Sequence, residues 1–315
     1  MHFRLTYVTD AFVFGDAEIS ASEPDKNITV VVRRRPNNGG LPAFEPTDGL
    51  IVALCERTLS DRLHNEATNS GILSLEKGAV KKAYDDMNDC IQRTLRLVRW
   101  RGHARGRPNP IRSAVPNYFV WSVDGLEWKM VDDCVSITIK FLYSSRPWFK
   151  EDAEFLQTEL VRGSSEPLGH ELLREADVNR ESNPRSSLVL AVAAAEVGFK
   201  QFVSRAFPDV AWLMELPSPP LTVMLNQLPW EQLKLRINDK VPAVPEPIID
   251  ELKKAVTLRN KIVHSGVANL SSETLESILN TVSDFLYFLD ALHGSGQLWA
   301  LNLVNQSVIG HFKKE

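Results

Sequence analysis

The chain has 315 residues, of which 43% are hydrophobic and 24% charged, with a formal net charge of −4. That length suffices for two domains, and the composition is that of a folded globular protein rather than a disordered or fibrous one. The acidic balance argues against a generally basic nucleic-acid binder but leaves room for a local basic patch.

In chain order, residues 3–14 and 27–35 carry β-branched and aromatic residues and predict strands, with a turn at Asn37-Asn38-Gly39-Gly40. Residues 75–98 predict an amphipathic helix, because Val80, Ala83, Met87, Ile91, Leu95 and Val98 recur at helical spacing. Strands are predicted at 119–123 and 135–141, and Asp124-Gly125 predicts a hairpin turn leading into 126–130. The N-terminal part is therefore a mixed α/β domain, residues 1–162, ending in a linking helix at 152–161. The segment 163–169, rich in Gly, Ser and Pro, is the best boundary.

One basic concentration stands in this part: Arg93, Arg96, Arg99, Arg101, Arg105, Arg107 and Arg112, with Trp100 and His103 among them. It has two readings. Arg96, Arg99, Trp100, Arg101, Arg105 and Arg107 could grip phosphate and stack on a base, or the segment is a solvated charged face. Arg33-Arg34-Arg35 reads as an exposed strand end.

From residue 166 onward the pattern turns helical. A helix opens at 169–176, and a long buried one follows at 186–203, started by Asn183-Pro184 and two serines. Val189, Val192, Phe199 and Val203 define its apolar stripe, with Glu196 inside it. A proline-punctuated section holds a short helix near 221–228. The next helix begins around Pro247, with Glu246, Asp250 and Glu251 at its positive end, and Gly266 is a natural stop. Ile248, Ile249, Leu252, Ala255, Val256, Ile262 and Val263 gather on one face at about 100° per residue. Arg259 falls in the middle of that face, with Asn260 and His264 together on its flank. The last helix is predicted at 272–292. The domain is thus an all-α bundle over 166–315, and the fold class is α+β.

Arg259 on one apolar stripe and Glu196 on another predict an ion pair, since an unpaired buried charge is very costly. A purely structural reading stands beside a functional one: Arg259 as a buried ion-pair member, and His264 complementing the negative end of its helix.

A buried helix bearing Ala193-Ala194-Ala195-Glu196, a Pro-rich connection, and a helix ending in Arg259-Asn260 with His264 four residues later resemble the HEPN superfamily (higher eukaryote and prokaryote nucleotide-binding domains) over residues 166–294. The resemblance implies a helical bundle that dimerises through its motif helices. Many such proteins are metal-independent ribonucleases of toxin, abortive-infection and antiphage systems. Carried over by position, Arg259 and His264 take the catalytic roles and Asn260 the accompanying polar role. A toxin branch of the family has a tyrosine two residues after the histidine; Gly266 stands there, so regulation through that tyrosine is not expected.

The chemistry of these residue types fits. An arginine donates in a fork to phosphate oxygens, and a histidine moves protons near neutral pH. The expectation is a metal-independent endoribonuclease acting on RNA as a homodimer, with the N-terminal domain sensing a protein trigger or recruiting substrate. The competing expectation is a non-catalytic HEPN module that binds nucleotide, RNA or a protein partner. No metal or other cofactor is expected: Cys55, Cys90 and Cys134 lie far apart, and the seven histidines form no metal spacing. No nucleophile elbow or phosphate-binding glycine loop is present. The N-terminus lacks signal-peptide form, and the most apolar run, residues 188–199, is too short for a bilayer. A cytoplasmic location follows.

Overall fold

The computed structural model describes residues 1–9, 19–34, 49–76, 78–102, 111–112, 118–132, 150–206, 221–227, 244–265, 270–292 and 295–305. The described residues up to Glu166 form one compact unit and those from Pro167 onward form another. The architecture is α+β: an N-terminal antiparallel sheet with helices, then a mostly helical half. The turn read at Asn37-Asn38-Gly39-Gly40 and the strand read at 135–141 lie outside the described residues.

Among the described residues, the first unit is built on a seven-stranded antiparallel sheet. Its strands are β1 (His2–Thr9), β2 (Ile19–Glu23), β3 (Ile28–Arg34), β4 (Gly49–Glu56), β5 (Ile111–Arg112), β6 (Tyr118–Ser122) and β7 (Lys129–Met130). The order is β2-β3-β4-β1-β6-β7, with β5 also on β1. Period-two alternation makes one face apolar: Phe3, Leu5 and Tyr7 on β1 and Ile28, Val30 and Val32 on β3 are buried. Phe3 stacks diagonally on Phe119 of β6, with ring centroids 5.7 Å apart.

Helix α1 (Asp61–Ser70) is capped by Ser60, whose hydroxyl accepts from Leu63 N at 3.4 Å. The amphipathic α2 (Gly78–Gly102) buries Val80, Ala83, Met87, Ile91, Leu95 and Val98. Between β6 and β7 the hairpin forms, but over a longer loop than a two-residue turn. Asp124 Oδ1 accepts from Leu126 N and Glu127 N, at 2.9 and 3.2 Å, and these bonds widen the connection.

Helix α3 (Lys150–Val161) covers the sheet's edge instead of linking the two halves. The Gln157 amide works there as a substitute strand: Ser22 N donates to its Oε1 at 2.8 Å, and its Nε2 donates to Ser22 O at 3.2 Å. Backbone groups that would otherwise stand open on an edge strand are thereby paired.

The second unit comprises α4 (Leu168–Asn179), α5 (Pro184–Ala206), α6 (Leu221–Gln227), α7 (Glu246–Ser265), α8 (Ser272–Leu292) and a 3-10 segment (Ser295–Leu303). Asn183 Oδ1 accepts from Ser186 N at 3.2 Å, starting α5 with Pro184 in its first turn. Helices α5 and α8 form the centre, with Ala191, Ala195, Phe199, Phe285, Leu286 and Phe288 buried. Helices α4 and α5 approach closely at Gly169 and Gly198: a Cβ on Gly169 would stand 3.0 Å from the Gly198 Cα. Helix α5 is long and apolar enough to cross a membrane, unlike the shorter apolar run read from sequence, but two-thirds of its most apolar window is buried inside the protein.

Candidate active site

Arg259 and Glu196 meet. On α7 the Arg259 Nη2 donates to Glu196 Oε1 of α5 at 2.6 Å, a short charge-assisted bond. The carboxylate side chain is 9% exposed and the arginine 26%. The acid is therefore held in the interior while part of the guanidinium faces solvent. Asn260 and His264 are exposed on the last turns of α7. The Gly266 stop lies outside the described residues.

Two apolar positions differ from the sequence reading. Val263, one turn after Arg259, is 55% exposed, and Val189, two turns before Glu196 on the same side of α5, is 36% exposed. The stripes were expected to be buried throughout. Instead each stripe has one of its residues at the surface.

At about 100° per residue, the order around α7 runs Arg259, Val263, Asn260, His264, Thr257, Lys261, Lys254. Arg259 and His264 stand roughly 140° apart, so a single chain aligns them along an arc and does not bring the two tips to one point. Lys254 and Lys261, with Thr257 and Leu258, form one wall of a groove against Thr274 and Ile278 of α8.

Of the arginine–aromatic patch near residue 100, Arg99, Trp100 and Arg101 are buried. Helix α2 continues to Gly102, so Arg99, Trp100 and Arg101 turn into the interior of the first unit. Arg101 Nε donates to the buried Asp152 of α3 at 2.8 Å, and Trp100 packs edge-on against Phe155, with centroids 5.6 Å apart. Arg93 pairs with Glu23 and Asp89. Arg96 is exposed, and Arg105 and Arg107 lie outside the described residues. In this conformation Arg99, Trp100 and Arg101 serve packing, since side chains in the interior present neither charge nor ring to a nucleic acid.

One pair escaped the sequence reading. His170 Nε2 lies 2.8 Å from Asp290 Oδ2, joining α4 to α8 across 120 positions of sequence. Both residues are buried, and the imidazole tilts onto Tyr287 with centroids 4.6 Å apart. Asp290, on the flank of the apolar run of α8, was a weaker signal than Glu196, which lies inside its stripe. Beside the pair is a cavity of about 20 Å³, bordered by Gly169, Gly198 and Gln201, which has room for about one water. It suits a structural polar contact better than a substrate.

Among the described residues, no three His, Cys, Asp or Glu side chains gather in a metal-binding group. No family model, no curated protein and no solved structure matches this chain.

Proposed function

We propose that the chain is a metal-independent endoribonuclease of HEPN type, cytoplasmic and part of a prokaryotic antiphage or toxin system. The observation that carries this reading is the posture of Arg259. Glu196 grips it from the interior, yet a quarter of it stays open to solvent, on the helix that exposes Asn260 and His264.

Arg259 holds the scissile phosphate and stabilises the charge that develops on it. An imidazole takes the proton of the ribose 2′-OH, whose oxygen attacks phosphorus, and the P–O5′ bond breaks. The leaving 5′-oxygen receives a proton, and a 2′,3′-cyclic phosphate results. His264 serves as the acid or the base, and Asn260 orients it or the substrate. The separation of Arg259 and His264 around α7 favours a site completed by a second copy, which supplies the other imidazole. Exposed Val263 and Val189 give that copy an apolar surface to cover. The N-terminal unit senses a protein trigger or recruits RNA.

The same separation also favours a second reading, a HEPN module that binds nucleotide, RNA or a protein without cleaving. Incubating purified protein with RNA in chelator distinguishes the two. The nuclease reading expects cleavage by the parent and a loss of at least about 100-fold in His264→Ala and Arg259→Ala. RNA left intact by all three, with binding retained, establishes the module instead.

A further inference from the structure

We infer that the groove between α7 and α8 is the track for the RNA strand that flanks the scissile bond. The identity of the ligand rests on the nuclease reading above; the location rests on geometry of its own. Lys254, Thr257, Leu258 and Lys261 recur at the spacing that places side chains on one helix face. Thr274 and Ile278 of α8 form the opposite wall, and the space between is about 420 Å³, within the range of small-molecule sites. Leu258 and the buried Ile278 give an aliphatic floor against which a nucleobase can lie.

The charge suits a phosphodiester strand. The groove is lined by Lys253, Lys254 and Lys261 and one acid, Glu251. Lys253 is matched by Asp250 and Glu246, at 3.2 and 3.8 Å, which leaves Lys254 and Lys261 against Glu251 and so a net positive groove. Lys254 touches Glu251 at 3.1 Å with its side chain 73% exposed; such an ion pair is held weakly and exchanges readily for a phosphate. Lys254 and Lys261 are spread along about 10 Å of the helix axis.

The order of residues around α7 connects the groove to the chemistry. From Arg259 the exposed surface passes Asn260, then His264, then Thr257 and Lys261. Lys261 precedes His264 by three residues, so the two are neighbours on the helix surface. A strand anchored at Arg259 passes the imidazole around the helix and then follows the groove back toward the N-terminus of α7.

The test measures binding, in chelator, of a fluorescently labelled single-stranded RNA about 12 nucleotides long, using full-length protein carrying His264→Ala so that the probe stays intact. Lys254→Glu with Lys261→Glu is expected to weaken binding at least about tenfold and to flatten the dependence of log K on log salt by about 1.4, the value for two phosphate contacts on a single strand. The matched control, Lys81→Glu with Lys82→Glu on the exposed face of α2, changes net charge equally and is expected to shift binding less than about twofold. Lys254→Arg with Lys261→Arg should retain binding. Circular dichroism melts confirm that each variant is folded. Equal loss in the groove variant and the control, or no RNA binding by the parent, overturns the inference. Cleavage by the unmodified chain, with undiminished binding in the groove variant, overturns the groove and leaves the nuclease standing. Groove-dependent binding, with no cleavage by the unmodified chain, supports the groove and removes the nuclease.

Discussion

Glu196 and Arg259 share one short bond, but their surroundings differ: the carboxylate is interior and the guanidinium reaches the surface. The stabilisation should lie between that of an exposed pair, near 0–1 kcal/mol, and the 3–5 kcal/mol lost when a buried pair is broken. We expect Glu196→Ala and Arg259→Ala each to cost about 1–3 kcal/mol in denaturant unfolding. The double variant should cost less than the sum, because removing both partners leaves no orphan charge. Costs that add to within about 0.3–0.5 kcal/mol would mean that the bond contributes nothing. On the proposed nuclease reading, Glu196→Ala should also reduce RNA cleavage, since a released arginine no longer presents its fork in one direction. The pair was legible because two misplaced charges stood on two apolar stripes. His170 and Asp290 were harder to read, because His170 lies in the first turn of its helix and Asp290 on the flank of an apolar run, where polar residues are ordinary.

Among the elements, the contact of α4 with α5 is the most demanding sterically. A Cβ on Gly169 would stand 3.0 Å from the Gly198 Cα and 3.1 Å from the Ala194 carbonyl oxygen, both backbone atoms that cannot rotate away. A Cβ on Gly198 would come within 2.2 Å of Leu286 Cδ2, the tip of a buried side chain. Both substitutions to alanine should destabilise, by about 1–3 kcal/mol. Leu286→Ala should rescue Gly198→Ala more than Gly169→Ala, whose Cβ also meets Leu286 Cδ2 at 3.1 Å but keeps its two backbone contacts, as read from unfolding midpoints. Rescue of Gly169→Ala to the same extent would show that the helices can part. The amphipathic elements were the legible ones: α8 spans the residues where hydrophobic spacing places it, α6 follows the prolines that precede it, and β3 follows its run of valines. Strand β4 was not evident, because Leu50-Ile51-Val52-Ala53-Leu54 is apolar throughout and lacks the alternation that separates a strand from a buried helix. Helix α3 read as a connector since its sequence cannot show that Gln157 completes an edge strand. The Arg99-Trp100-Arg101 run read as a surface because Asp152, the acid that takes Arg101 inside, lies 51 positions away.

At the scale of the whole molecule, the two units should respond differently to alkali. Burial pushes the Cys55 thiol from 9.0 up to about 11. Burial, with the neighbouring Glu23, pushes Cys90 from 9.0 up to about 12. Both lie in the first unit. Once pH passes about 9, the unfolded chain has released protons that the folded chain still holds, so stability falls as pH rises toward the folded values. Thermal melts from pH 8 to 10.5 should show the first unit weakening, and Cys55→Ala with Cys90→Ala should make its decline shallower. An unchanged slope in that variant would assign the decline to other groups. The second unit faces a different hazard, during synthesis. Helix α5 leaves the ribosome well before α8, the helix packed beside it, has been made, and at cellular elongation rates the delay is on the order of several seconds. For that interval a greasy rod, long enough to enter a bilayer, has only α4, of its permanent neighbours α4 and α8, to cover it. The nascent chain must shelter it provisionally or hand it to a chaperone, and a premature stop before residue 272 would yield a product fated for aggregates or stray insertion.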